Sequence, residues 1–438
     1  MIQHTRYRRH RGGVALGIVA AAMLQSCGGS SMNSGMSPAP PASGPPGTTP
    51  APPSGTAAPP AVAQAQQENT PVNPAIVAAD NAFGLSLFQN LNAGASGNVA
   101  IAPISVAMAL QIVYNGAAGA TQQGMAQTLD LGTMSVSDLN NANAALQASL
   151  INPDPQVQLT IANSLWMHLG MNAVQPSFTQ MDQMYYGATV GDLAGAPDNV
   201  NAWVDTETNG LITQILPNAN YQSVTAVIAN VIYFKGQWAN GFDPNATAAA
   251  PFTLADGTQV SAQTMHTSAT FGYLQGANFQ ALRMPYGQGR MSMLLVMPDP
   301  SISLGSFVAG ITPSMLTSWE AQLQTAYGSV ALPRFTATFG ASLVQPLTTL
   351  GMGTSFCGSQ QAGFPGIGLG CISDVEHKTV VEVDETGTVA AGSTTITIKP
   401  VVVQAPMFNL TLDHPFLYAI RDDQTGELLF VGTMMNPT

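Results

Sequence analysis

Beyond its first eleven residues the chain carries four histidines, His168, His266, His377 and His414, and its three cysteines are Cys27, Cys357 and Cys371. These are the side chains with which a protein does nucleophilic, acid-base or metal chemistry, and their surroundings argue against all three. There is no Gly-x-Ser-x-Gly elbow, no His-Glu-x-x-His, no phosphate loop and no Gly-x-Gly-x-x-Gly following a strand. A structural histidine in the core is the commoner fate of each imidazole, and no Cys or His partners gather into a ligand set, so neither a catalytic residue, a metal nor a cofactor is expected. Cys357 and Cys371 lie fourteen positions apart in Gly-rich chain. In an exported protein that spacing favours a disulfide, with two separate buried thiols as the alternative.

Export is read from the first 27 residues. Arg6 to Arg11 form a basic region, residues 14–24 an apolar run too short to span a bilayer, and Leu24-Gln25-Ser26-Cys27 follows. The ending resembles a bacterial lipoprotein signal, which would make Cys27 an acylated first residue; ordinary secretion with an unmodified Cys27 is the alternative. The formal net charge is −12, and without the four leader arginines seven basic residues face 23 acidic ones, a balance of −16. Such a surface disfavours nucleic acid and other polyanions.

A different kind of signal lies in the segment from Glu385 to Val403. No charge falls between Glu385 and Lys399. At a period of two, Thr388, Ala390, Gly392, Thr394, Ile396 and Ile398 share one face, small at first and β-branched later. The other face is small or polar and closes with Lys399. That is the pattern of a half-buried strand, yet Gly387, the run of small residues and Pro400 are loop punctuation, and Pro400 has no N–H for a central ladder. A segment suited to both states suggests a conformational switch.

The elements that would carry this segment are read from composition and periodicity. Residues 28–72 are rich in Pro, Ser, Ala, Gly and Thr with Glu68 as their only charge, so they are expected to be an unstructured tether with an end-to-end distance of roughly 35–40 Å. Residues 73–438 read as one domain. Ile76, Phe83, Leu87 and Leu91 fall at helical spacing, Ile104, Met108 and Ile112 form a second apolar face, and a third helix is expected near 200–216. Strands are expected at 158–167, 226–234, 291–297, 379–383 and 428–432, several of them too apolar for a solvent-facing sheet. Helices early and strands late give an α+β class.

From about residue 73 onward the chain resembles the serpin family. Asn98-Val-Ala-Ile-Ala-Pro-Ile-Ser105 with Gly116-Ala-Ala-Gly-Ala-Thr121 is similar to the family's second helix and following turn, and Asn230-Val-Ile-Tyr-Phe-Lys-Gly-Gln-Trp238 to its central-strand signature. Leu332-Pro-Arg-Phe335, Leu350-Gly-Met352, Ser373-Asp-Val-Glu-His-Lys378, His414-Pro-Phe416 and Phe430-Val-Gly432 follow in the family's order. The resemblance implies three β-sheets, about eight or nine helices and an exposed reactive-centre loop. It implies no enzyme but a suicide substrate of serine proteases, one whose cleaved loop inserts into the main sheet and drags the acyl-enzyme with it. Cysteine proteases are a further class of target.

Under that resemblance Glu385, Gly387, Thr388, Ala390, Ala391, Gly392 and Ser393 become the hinge, with no large or charged side chain where the strand must enter. Counting sixteen positions on from Glu385 reaches Val401, which gives a Val401–Val402 reactive bond. Counting back from His414-Pro-Phe416 lands nearer Gln404, so Val402, Val403 and Gln404 stay open. A small branched residue after Pro400 suits an elastase-like or subtilisin-like pocket. Ser105, Asn230 and His377 match polar residues beneath the centre of the opening sheet, and Arg334 and Glu385 match an ion pair at its top, with Trp238 beside it. Ala102 replaces the family's usual serine, and the Cys357–Cys371 stretch has no clear counterpart. The region near 137–150, where some relatives bind heparin, holds no Lys or Arg, so heparin is not expected as a partner. A monomer is expected, on a membrane only through a lipid anchor. A non-inhibitory binding or chaperone-like protein, and a structural surface lipoprotein, are the competing functions.

Overall fold

In the computed structural model the described residues are 60–170, 174–359, 363–388 and 405–438. The first expected helix is Pro74–Asn92. Asn73 caps it, its side chain accepting from the Ala75 N–H, and Pro74 opens its first turn. Pro103–Tyr114 is buried on every side, which makes it the central helix on which the rest is laid.

Six strands form one sheet in the order Phe335–Ser342, Asp374–Val383, Gly387–Thr388, Ala226–Gln237, Val157–Met167 and Thr189–Asp192. Its middle strand, Ala226–Gln237, has nine consecutive buried residues, because helices and the second sheet cover both its faces; this is why its sequence is apolar without alternation. The other strands belong to a nine-stranded sheet.

Two sheets, not three, are present among the described residues. The reason is Gln259–Gln275, a seventeen-residue strand that pairs early with Ala248–Thr253, along much of its length with Gln324–Pro333 and at its end with Phe279–Tyr286. Two groups of strands thus become one sheet. The described residues form ten α-helices, against the eight or nine expected. One is Pro60–Glu68, inside the stretch expected to be tether: Val62 and Ala65 pack on Ala144 and Ala148 of Val136–Leu150. Small alanine-rich faces suffice for this packing, and the composition of the stretch hid it.

The helix expected near 200–216 is the shorter Asp198–Glu207. Asn209 and Gly210 take left-handed backbone at φ 51° and 81°, which ends a right-handed helix.

Candidate functional site

The parallel strands Asp374–Val383 and Ala226–Gln237 meet along a seam. Their register runs from Asp374↔Val227 to Lys378↔Val231. Above that point they are no longer each other's partners among the described residues. At the top Thr388 pairs with Val383 on one side and Gly236 on the other, and Gly387 pairs with Gln237. The first two residues after the turn thus already lie between the two strands.

The turn that delivers them is closed by Asp384. Its Oδ1 accepts from Thr386 N–H at 2.8 Å, Thr386 Oγ1 at 2.7 Å and Gly387 N–H at 3.1 Å, while its own N–H donates to Gly387 O at 2.9 Å. Trp238 holds the outside of the turn, its N–H donating to Thr386 O at 2.8 Å and its Nε1–H to Asp384 O at 2.9 Å. Gly387 is required by close approach: a Cβ there would collide with the Gly236 carbonyl oxygen.

Glu385 is buried, and its Oε1 accepts from Thr247 Oγ1 at 2.6 Å and from the Arg334 guanidinium. Burial pushes the carboxyl up, but the hydrogen bonds from Thr247 and Arg334, a backbone hydrogen bond and the charge of Arg334 together hold it below the usual carboxylate range.

Lower on the seam is a buried row of polar groups. Asn163, Asn230 and His377 stand side by side in register on three neighbouring strands. Asn230 Nδ2 faces Asn163 Oδ1 at 2.5 Å, Ser105 Oγ at 2.5 Å and Ser105 O at 2.7 Å. His377 bonds Asn230 Oδ1 through Nδ1, and its Nε2 accepts from the Ala102 N–H. The backbone at Ala102 therefore supplies the contact, and no hydroxyl is needed there for that purpose. Burial drives the imidazole far down, to about 3, so it is neutral.

Cys357 and Cys371 form a disulfide at the foot of the seam. Next to it Ser373 N–H donates to Ala226 O at 2.9 Å, and Thr225 N–H donates to Ser373 Oγ at 2.9 Å. The remaining histidines, expected as structural core residues, are scattered, and one of them is not in the core. His266 is exposed, His168 lies near Tyr221 O, and His414 bridges Asp413 and Pro298 O. No group of acidic, His or Cys side chains suited to a metal occurs among the described residues. Ala390, Ala391, Gly392, Ser393, Val401, Val402 and Cys27 lie outside them. Asn163, Thr247, Asp384 and Tyr286 were missed from the sequence; their one signal is register, which becomes legible only once strand pairing is known.

The site is thus a seam between two parallel-paired strands, occupied at its top by Gly387 and Thr388 and crossed lower down by a hydrogen-bonded polar row. The family model described as "Serpin (serine protease inhibitor)" matches residues 78–437. Leukocyte elastase inhibitor A from Mus musculus is 32% identical over 377 residues, covering 82% of this chain and 98% of its own length. Serpin-ZX from Arabidopsis thaliana is 31% identical over 366 residues, covering 78% and 92%. The crystal structure of a thermophilic serpin, tengpin, in the native state superposes with a TM-score of 0.77 at 26% identity, covering 84% of this chain and 95% of tengpin. The chain belongs to the serpin family, a family of protease inhibitors and not of enzymes.

Proposed function

We propose that the chain is an inhibitory serpin, a suicide substrate for an elastase-like or subtilisin-like serine protease. The observation that carries this reading is the place of Gly387 and Thr388, already paired with both strands of the seam. A strand begun there needs only to be extended. Attack by the protease serine on the Val401 carbonyl breaks the Val401–Val402 peptide bond, releases the new amino terminus at Val402 and leaves Val401 as an ester of the protease. Extension of residues 389–400 down the seam then carries that ester away. Displacing a triad and its oxyanion hole by an ångström is enough to stop deacylation.

Each ladder bond formed on insertion contributes roughly 0.5–1.5 kcal/mol, so the uncleaved form is held by a barrier and not by equilibrium. The mouse relative's name, an elastase inhibitor, fits the small apolar residue at Val401. Export and a lipid anchor at Cys27 complete the proposal and would put the inhibitor where foreign or released proteases act.

The test is incubation with pancreatic elastase or subtilisin followed by denaturing electrophoresis and mass analysis of the cut loop. A covalent complex and a cut after Val401 are expected. Quantitative cleavage with the protease fully active would overturn the inhibitory reading.

A further inference from the structure

The hinge residue that has entered the sheet carries a hydroxyl, and among the described residues that hydroxyl has one partner. Thr388 Oγ1 lies 2.6 Å from Tyr286 Oη, and the two residues are 1% and 0% exposed. Tyr286 belongs to the other sheet, at the end of Phe279–Tyr286. Its ring stacks on Trp238 with centroids 4.3 Å apart at an interplanar angle of 12°, and meets Phe234 edge-on at 5.1 Å.

The backbone on both sides of Tyr286 is tied to the neighbouring strand end. Ala239 N–H donates to Pro285 O at 2.9 Å and Gly287 N–H to Gln237 O at 2.8 Å. Gly236, the ladder partner of Thr388, leaves the space the ring needs, since a Cβ there would meet both the Phe234 and Tyr286 rings at 2.9 Å. One polar atom on a fixed aromatic stack is thus aimed at one hinge hydroxyl, in surroundings where neither has water as a substitute.

We propose that Tyr286 is a positioning residue for loop insertion, a catch that holds Thr388, and with it Gly387, in the first two places of the incoming strand before any cleavage. The proposal rests on the inhibitory reading and deepens it, because it assigns the register of insertion. Side chains alternate across a strand, so fixing Thr388 inward directs Ala390, Gly392, Thr394, Ile396 and Ile398 inward as the strand grows, and Lys399 outward. A slip of one residue would send Lys399 toward the core and Ile398 toward solvent.

The experiment uses the whole chain with Tyr286→Phe, Thr388→Val and the double variant, all of which keep the shape of the site, and Thr388→Ser, which keeps the hydroxyl. Amide hydrogen exchange at Gly387 and Thr388 is measured before cleavage. The moles of inhibitor consumed per mole of subtilisin trapped are measured after mixing. Each single variant is expected to exchange about fivefold faster at these amides, the factor one ordinary hydrogen bond is worth, and to consume more inhibitor per protease trapped. The double variant should be no worse than either single one, and Thr388→Ser should behave as wild type. Unchanged exchange in both single variants overturns the catch, whether or not the chain traps a protease. Faster exchange with unchanged inhibitor consumption overturns its part in insertion. A wild-type chain that is cut without trapping overturns the inhibitory reading alone, and exchange still decides the catch.

Discussion

His377 stands directly opposite Asn230 across the seam, with its Nδ1 3.0 Å from Asn230 Oδ1. Because Nε2 accepts from the Ala102 N–H at 3.2 Å, the ring proton resides on Nδ1 and is donated to Asn230. The bond ties the two strands of the seam together, and under the proposed inhibitory function full insertion would have to break it.

That tautomer gives the uncleaved protein a definite pH response. Burial holds the folded-state pKa of His377 at about 3, against 6.5 for the free side chain. Between those values the unfolded chain binds a proton that the folded chain refuses. This contribution is therefore complete above about pH 6.5 and is lost as the pH falls toward 3, with a slope of up to about 1.4 kcal/mol per unit. Urea unfolding of wild type and His377→Gln at a series of pH values should give a stability difference that is flat above pH 6.5 and shrinks below it. A difference that stays constant down to pH 4 would show that the imidazole is not buried neutral.

Under the proposed function, Thr388→Arg should leave a chain that is cut as a substrate without trapping the protease. The residue is 1% exposed and packed under Tyr286, so a guanidinium there faces a desolvation cost of several kcal/mol and the hinge is expelled instead. On a denaturing gel the yield of covalent protease complex should fall more than about tenfold, the equivalent of 1.4 kcal/mol, with cleaved chain in its place. Trapping at the wild-type yield would mean that the occupied hinge position plays no part in inhibition.

The sequence and the structure agree where local pattern and burial coincide. Val157–Met167, Ala226–Gln237 and Met291–Pro298 are long apolar or β-branched runs, and each forms a strand close to its expected limits. Pairing is a different kind of information. Asn163 is an unremarkable polar residue in a strand until register sets it beside Asn230, and Tyr286 is one of ten tyrosines until its strand end is folded under the hinge. Pro60–Glu68 was hidden for the opposite reason: its composition is that of loose chain, and only the alanine face of Val136–Leu150 makes it a helix worth forming.

Arg334→Ala should weaken the top of the sheet. The variant removes one of the two side-chain donors to the buried Glu385 carboxylate and leaves it Thr247. Since the Arg334 side chain is about half exposed, the loss should be modest, about 1–2 kcal/mol, and lower the melting temperature by a few degrees. The stabilisation carried by Glu385 is present above the ordinary carboxylate range and is lost as pH falls through its depressed folded pKa. Calorimetry at pH 7 and at pH 3 should therefore show the wild-type advantage at the first and a smaller one at the second; equal gaps would dissociate the ion pair from the stability.

The disulfide adds a constraint at the opposite end of the same strand. Cys357 and Cys371 are fourteen residues apart, and closing a loop of that size removes roughly 3 kcal/mol of chain entropy from the unfolded state. Within the loop Phe364 and Ile367 are fully buried, and Gly366 N–H donates to Gly116 O, so the loop ties the turn after the central helix to the foot of Asp374–Val383. Reduction with dithiothreitol, or the paired change Cys357→Ser with Cys371→Ser, should lower the unfolding midpoint by a matching amount. The buried Phe364 and Ile367 keep the loop seated in the native state, so hydrogen exchange at the hinge, at the other end of the strand, should not change. If reduction instead speeds exchange at Gly387 and Thr388, the staple acts along the whole strand and not at its foot alone.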